Sequence, residues 1–210
     1  MKQHILRYFI YCLGFLILAL GLTLTIKANL GTGPWPALNV GLASSFGLTV
    51  GSWTFIVGIV LILINSILIK ELPSFLSIIP IFILGIFLDF WLLIVFNNIT
   101  IQTLMFQFGL LLVGIMLIAI GVSLYIQTKL PLNPIDGFML AVQKRFQVSM
   151  RKGKTITELV ALFFAILFSG PIGIGTIFVA LLIGPTVQYF FNVMETLVKP
   201  VITEKSKDAA

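Results

Sequence analysis

Charge is what this sequence has least of. Only 10% of its 210 residues are Asp, Glu, Lys or Arg, and seven are acidic. A soluble domain carries about 25% charged residues, so this chain cannot clothe a surface that faces water. Cysteine is nearly absent too. The single thiol, Cys12, excludes an internal disulfide and any cysteine-based metal site. The one histidine, His4, stands in the N-terminal tail. There is no Walker A loop, nucleophile elbow or dinucleotide fingerprint. Gly173-Ile174-Gly175 is too short for one, follows no strand, and reads as a hinge. These absences argue against an enzyme: no catalytic residue, metal ligand or cofactor site is expected.

What the chain does have is apolar length. Hydrophobic residues make up 59% of it, and the mean hydropathy is +1.15. This composition predicts an all-α polytopic membrane protein whose partner is the lipid bilayer. The net charge of +6 then reflects basic residues flanking the spans, and nucleic acid is not an expected partner. A span needs about 20 apolar residues. Six fit, near Tyr8–Ile26, Ser52–Ile69, Phe75–Phe96, Leu104–Ile126, Thr155–Phe168 and Thr176–Val193. The first is longer than the apolar core of a signal peptide and lacks a clear cleavage site. With the N-terminus in the cytoplasm, twelve of the thirteen basic residues fall inside and only Lys27 falls outside, as the positive-inside rule requires. The alternative has five spans, with the last two forming one broken element. It would put the C-terminal lysines outside.

The chain also repeats itself. Gly14, Ala19, Gly21, Pro34 and Phe46 recur without a gap as Gly114, Ala119, Gly121, Pro134 and Phe146, and with a shift of 99 Gly85 aligns with Gly184. Each half, 1–98 and 99–200, then holds three spans, followed by a polar cytoplasmic tail at 201–210. Three is odd, so the two repeats must be inverted. Inverted repeats mark secondary transporters, whose sites lie between the halves at broken helices. The paired glycines stand seven residues apart, two turns along one helix face, where small residues let helix backbones approach closely.

Both repeats break after their first span. In the first, Gly31 and Gly33 precede Pro34, and Trp35, Leu38, Leu42 and Phe46 form a helical apolar stripe. In the second, Asn133 is an N-cap before Pro134, with Asp136 in the first turn. Each is either an amphipathic helix lying in the headgroup layer or a re-entrant half-helix whose N-terminus faces a central cavity. Two carboxylates fall within spans. Asp89 in span 3, aligned with Gln188, and Glu158 in span 5 are the candidates for proton coupling, although Lys154 stands four residues before Glu158 and can pair with it.

The words GPWPAL after span 1, NPIDGFMLA after span 4, TITEL, and GPIGIGTIFVALLIGPTVQYF keep an order and spacing that resembles the YczE/YyaS/YitT group of bacterial membrane proteins, from about residue 5 to 195. In that group an Asp commonly stands where this chain has Pro36; Asp136, its counterpart in the second half, does match. The resemblance implies a multi-pass protein of the bacterial plasma membrane and no established substrate. The expected function is a small secondary carrier or exporter of an unknown small solute, bound near Asn29, Trp35, Asn39, Asn133 and Asp136 with Asp89 and Gln188 deeper. Six short spans make a thin wall around a path, which leaves room for a homodimer. The alternative is a non-transporting accessory protein of a membrane or secretory complex, docked through the cationic stretch Lys144–Lys154.

Overall fold

The computed structural model describes the backbone of residues 2–203 and the side chains of residues 4–198. Regular structure in this range is entirely helical. In order come α1 (Lys2–Lys27), α2 (Pro34–Phe46) and α3 (Val50–Ile69). A 3₁₀ turn (Phe75–Ser77) leads into α4 (Ile78–Asp89), whose end widens into a π segment (Phe90–Val95). Then follow α5 (Leu104–Gln127), α6 (Pro134–Phe146), α7 (Met150–Leu167) and α8 (Ile174–Thr203).

Five stretches are long and apolar enough to cross a bilayer: His4–Lys27, Val50–Ile69, Phe75–Val95, Leu104–Gln127 and Ile174–Val198. The sixth expected span is α7. It begins at Met150, before the expected Thr155, and Ser149 caps it by accepting from Lys152 N. Its first turns therefore carry Arg151, Lys152, Lys154 and Glu158, which keeps it apart from the five apolar helices. The last helix continues past Val193 to Thr203, so the expected polar tail is helical at 201–203. Its remainder, with Lys205 and Lys207, lies outside the described residues.

The helices form two packed groups. One joins α1, α4, α5 and α8; the other joins α2, α3, α6 and α7; contact between α3 and α4 links them. In the first group α1 and α5 cross antiparallel through four glycines. A Cβ on Gly14 would lie 3.0 Å from the carbonyl oxygen of Gly121, and one on Gly21 would lie 2.7 Å from that of Gly114. The reverse distances are 2.7 Å for Gly121 against Gly14 and 2.9 Å for Gly114 against Gly21. No side chain fits there, and the two backbones touch. Lipid tails are as apolar as leucine, so such close packing, rather than exclusion from water, is what holds helices together in a bilayer. Beside the crossing, Tyr11, Phe15, Leu18, Ala19, Leu84, Leu88, Ile118 and Tyr125 make a buried cluster.

α3 meets α4 the same way. A Cβ on Gly51 would come 2.1 Å from Gly85 O. The second group closes around Trp35, Leu38, Leu42, Leu61, Phe138, Val142, Ala161 and Ala165. Overpacking a tight contact costs about 1–3 kcal/mol. Gly21→Val should therefore lower the melting temperature of the detergent-solubilised protein by a destabilisation of about that size. Gly109→Ala, whose new methyl meets nothing within 4 Å, should leave it level or slightly raised; equal effects of the two would break the link between the crossing and stability.

Candidate functional site

The two short helices begin inside the protein. Pro34, Trp35, Ala37, Leu38, Asn39, Gly41 and Leu42 of α2 are buried, so its first two turns are covered on nearly all sides, unlike a helix lying in the headgroup layer. α6 buries Pro134, Phe138, Ala141 and Val142 and carries its cationic end at Lys144 and Arg145. The two helices meet through Trp35 in the first turn of α2 and Phe138 in the second turn of α6, whose rings pack edge to face with centroids 6.1 Å apart.

Local chemistry explains both starts. Asn133 Oδ1 accepts from Ile135 N at 3.2 Å, and Pro134 takes the first helical position, where a missing N–H costs nothing. Gly33 precedes α2 without a side-chain cap. The turn before it needs Gly31, whose φ is 93°, a value side chains resist. The loop ahead of α6 is tied to α1. Arg7 Nη2 donates to Thr128 O at 2.6 Å, and Tyr11 Oη donates to Pro131 O at 2.6 Å. Asp136 accepts a hydrogen bond from Tyr125 Oη. That tyrosine is buried, stacked on Phe15 with centroids 4.7 Å apart. Asp136 is thus held from α5 while it stands in the first turn of α6, where a negative charge is favoured.

The remaining expected residues are spread out. Asn39 is buried and donates through Nδ2 to Thr54 Oγ1 at 2.9 Å. Asn29 is exposed, in a left-handed turn with φ 55°. Asp89 lies at the start of α3, accepting from Gly51 N at 2.8 Å and from the Thr49 hydroxyl at 2.5 Å. Its carboxylate answers the free N–H groups of that helix. Glu158 pairs with Lys154 at 2.6 Å. Gln188 is exposed on α8. Trp35, Asn39, Asn133 and Asp136 therefore belong to the short helices α2 and α6 and their caps; Asn29, Asp89, Glu158 and Gln188 stand apart from them.

Sequence reasoning passed over two parts of the site. The first is Tyr125. The second is an open cleft of about 480 Å³ between α3 and α6, lined by Ile62, Asn65, Ser66, Leu132, Gly137 and Lys144 among others. Asn65 Nδ2 donates to Pro134 O at 3.1 Å, and an ion pair of 2.5 Å joins Lys144 to Glu71 at the rim. Asn65 and Ser66 interrupt an apolar run, which is the signal that could have found them. Tyr125 offers no such signal, because tyrosine at a span end reads first as an interface anchor.

Four buried side-chain atoms find no hydrogen-bond partner among the described residues: Thr23 Oγ1, Trp35 Nε1, Asn39 Oδ1 and Asn65 Oδ1. One is a donor, two are acceptors, and the hydroxyl can be either. None carries charge. No group of three or more His, Cys, Asp or Glu side chains gathers among the described residues to hold a metal.

Removing the Tyr125 hydroxyl leaves a half-buried carboxylate short of a donor. A hydrogen bond to a charged group contributes about 1.5–3 kcal/mol, so Tyr125→Phe should destabilise the protein by about that amount in a denaturant titration in micelles. Asp136→Asn keeps an acceptor oxygen for the tyrosine and should cost less; the opposite order would mean that Asp136 is held by something other than Tyr125.

Comparison with known proteins finds relatives over most of the chain. The uncharacterized protein YyaS of Bacillus subtilis (strain 168) is 38% identical over 190 residues, covering 90% of this chain and 94% of its own. The uncharacterized membrane protein YczE of the same organism is 33% identical over 193 residues, 90% of this chain and 87% of its own. An uncharacterized protein of Haemophilus influenzae is 28% identical over 187 residues, 86% and 81% of the two chains. No solved structure matches. The likeness read from the break motifs is thereby borne out for YczE and YyaS, and the apolar helices with a membrane-protein relative make this an integral membrane protein. A family model, the family of unknown function DUF6198, matches residues 5–192, so the chain belongs to that family.

Proposed function

We propose that this protein is a small carrier of a small polar solute, built from two inverted three-helix repeats. One observation carries the reading: the contacts exchange when the halves are exchanged. Adding 100 to one member of the Gly14–Gly121 contact and subtracting it from the other gives Gly114–Gly21, which is the second contact of the same crossing. Likewise α2 packs on α3 and α7, and its counterpart α6 packs on α7 and α3. Pairwise exchange of this kind belongs to a two-fold axis perpendicular to α1 and α5. For helices that span a bilayer such an axis lies in the membrane plane, the arrangement in which half-helices meet at a central site.

The solute class follows from the unpartnered atoms. Asn65 Oδ1 borders the cleft, and Trp35 Nε1, Asn39 Oδ1 and Thr23 Oγ1 are buried donors and acceptors without charge. An uncharged polar solute suits them, because the charged groups nearby are engaged: Lys144 at the cleft rim is paired with Glu71, and Asp136 is held by Tyr125. In this reading α7 completes six spans, both termini are cytoplasmic in the plasma membrane, and α2 and α6 enter from opposite sides. Support comes from the basic residues: Lys144, Arg145, Arg151, Lys152 and Lys154 cluster along one stretch of chain, and Lys27 sits at the far end of α1 from Arg7, with Nζ 3.5 Å from Asn97 O.

Reporter fusions after Leu42 and after Arg145 should score on opposite sides of the membrane; two cytoplasmic scores would remove the inverted repeat. Uptake or efflux in proteoliposomes, screened first with ligands that raise the melting temperature, tests the carrier. Asn39→Ala should weaken transport of the solute found by about tenfold, the value of one neutral hydrogen bond lost with its partner unpaired. For coupling, Asp89→Asn and Glu158→Gln are the probes: proton-driven flux that persists in both would remove the two carboxylates from the mechanism.

A further inference from the structure

The cleft between α3 and α6 has a counterpart, and the counterpart is shut. A shift of 100 carries Pro131, Leu132, Pro134 and Ala141 onto Gly31, Thr32, Pro34 and Gly41. It also carries the last turns of α3 and the loop beyond them onto the last turns of α7 and the Gly/Pro loop 169–173. Where the first set borders an open cleft, the second is sealed, backbone on backbone. A Cβ on Gly170 would lie 2.2 Å from Ala37 O, one on Gly41 2.7 Å from Phe168 O, and one on Gly173 2.5 Å from Leu30 O. Two hydrogen bonds cross the seam, Thr32 N to Pro171 O at 3.1 Å and Gly175 N to Leu30 O at 2.7 Å. Thr32 has no exposed surface, whereas Leu132 is partly exposed.

A second departure from symmetry falls at the other end of α3. Gly85 joins α4 to α3 through Gly51, but its counterpart Gly184 meets nothing within 4 Å, and α8 packs on α5. The two halves thus hold related helices in two different arrangements. The unequal loops have a chemical basis. Gly170, Gly173 and Gly175 lie flat against a neighbour's carbonyls, while Leu72, Leu76 and the serines around them line the open cleft.

We propose that these are two mouths of one path, that the structure holds the α3–α6 mouth open and the α2–α7 mouth closed, and that opening either closes the other. The proposal rests on the inverted-repeat carrier described above. Its physical core is that α2 and α6 share one buried cluster through Trp35 and Phe138, so tilting one half-helix away from its sealing partner moves the other. Alternating access in inverted repeats requires this exchange of two packings between the halves.

The test reads exposure and needs no solute. In a Cys12→Ala background, Thr32→Cys and Leu132→Cys are placed singly, and their rates of reaction with N-ethylmaleimide are measured on the reconstituted full chain. Leu132→Cys should react readily and Thr32→Cys slowly. Adding Gly170→Ala, or independently Gly41→Ala from the other side of the seam, should raise the Thr32→Cys rate about tenfold or more and lower the Leu132→Cys rate, as expected for a shift between two populations. Gly109→Ala should change neither. If the Thr32→Cys rate rises while that of Leu132→Cys stays, or if neither moves, the mouths are not coupled. If both glycine variants raise both rates, the glycines hold the fold rather than a gate, and the proposal falls. Exchange of reactivity without flux for any solute would leave the coupled mouths standing and remove the carrier; flux without exchange would do the reverse.

Discussion

Backbone contact between α1 and α5 is the constraint on which the rest of the structure depends. Four glycines allow the two long apolar helices to touch along their backbones. Everything else is placed from that line. Tyr11 and Arg7 reach from α1 to the loop before α6 because α1 runs beside the end of α5. Tyr125 can hold Asp136 because the same crossing buries it against Phe15. In lipid there is no water to drive such helices together, so geometry this close is a large part of what makes the association specific.

The breaks after α1 and α5 solve a different problem. Non-helical backbone within a membrane must be satisfied by protein or line a cavity. The Ala28–Gly33 loop is satisfied by the 169–175 loop and by the hydroxyl pair Thr25–Thr32, 2.7 Å apart. The 128–133 loop is satisfied by α1 instead, through Arg7 and Tyr11, and leaves the cleft beside it. The same problem thus has two solutions in one molecule.

Much of this was legible in the sequence, and for physical reasons. Long apolar runs give spans, and glycines seven apart give a helix face that accepts a backbone. Pro34 and Asn133-Pro134 mark the starts of α2 and α6 where the structure has them. The family was legible as well, in words built around those same breaks. What could not be read was which polar residues meet. Asp89 looks like a lone carboxylate in an apolar span, but the sequence cannot reveal that α4 delivers it to the N-terminus of α3. Gln188 occupies the aligned position and is exposed on α8, because α8 lacks α4's partner. Alignment transfers position along a helix; it does not transfer the neighbour. The burial of α2 and α6 was undecidable for the same reason: an amphipathic stripe fits a lipid surface and a protein interior equally well.

The π segment at Phe90–Val95 bears on how α4 serves two neighbours at once. A π turn holds one residue more than an α turn, and one residue turns the rest of the helix by about 100°. Before the wide turn Asp89 faces α3; within it Trp91 donates Nε1–H to Leu16 O of α1 at 3.1 Å, and Phe96 N closes back on Trp91 O at 2.8 Å. α4 already meets α3 through Gly85 and α1 through Leu84 and Leu88; the extra residue adds an indole that fastens the rod to α1 just beyond the carboxylate that fastens it to α3.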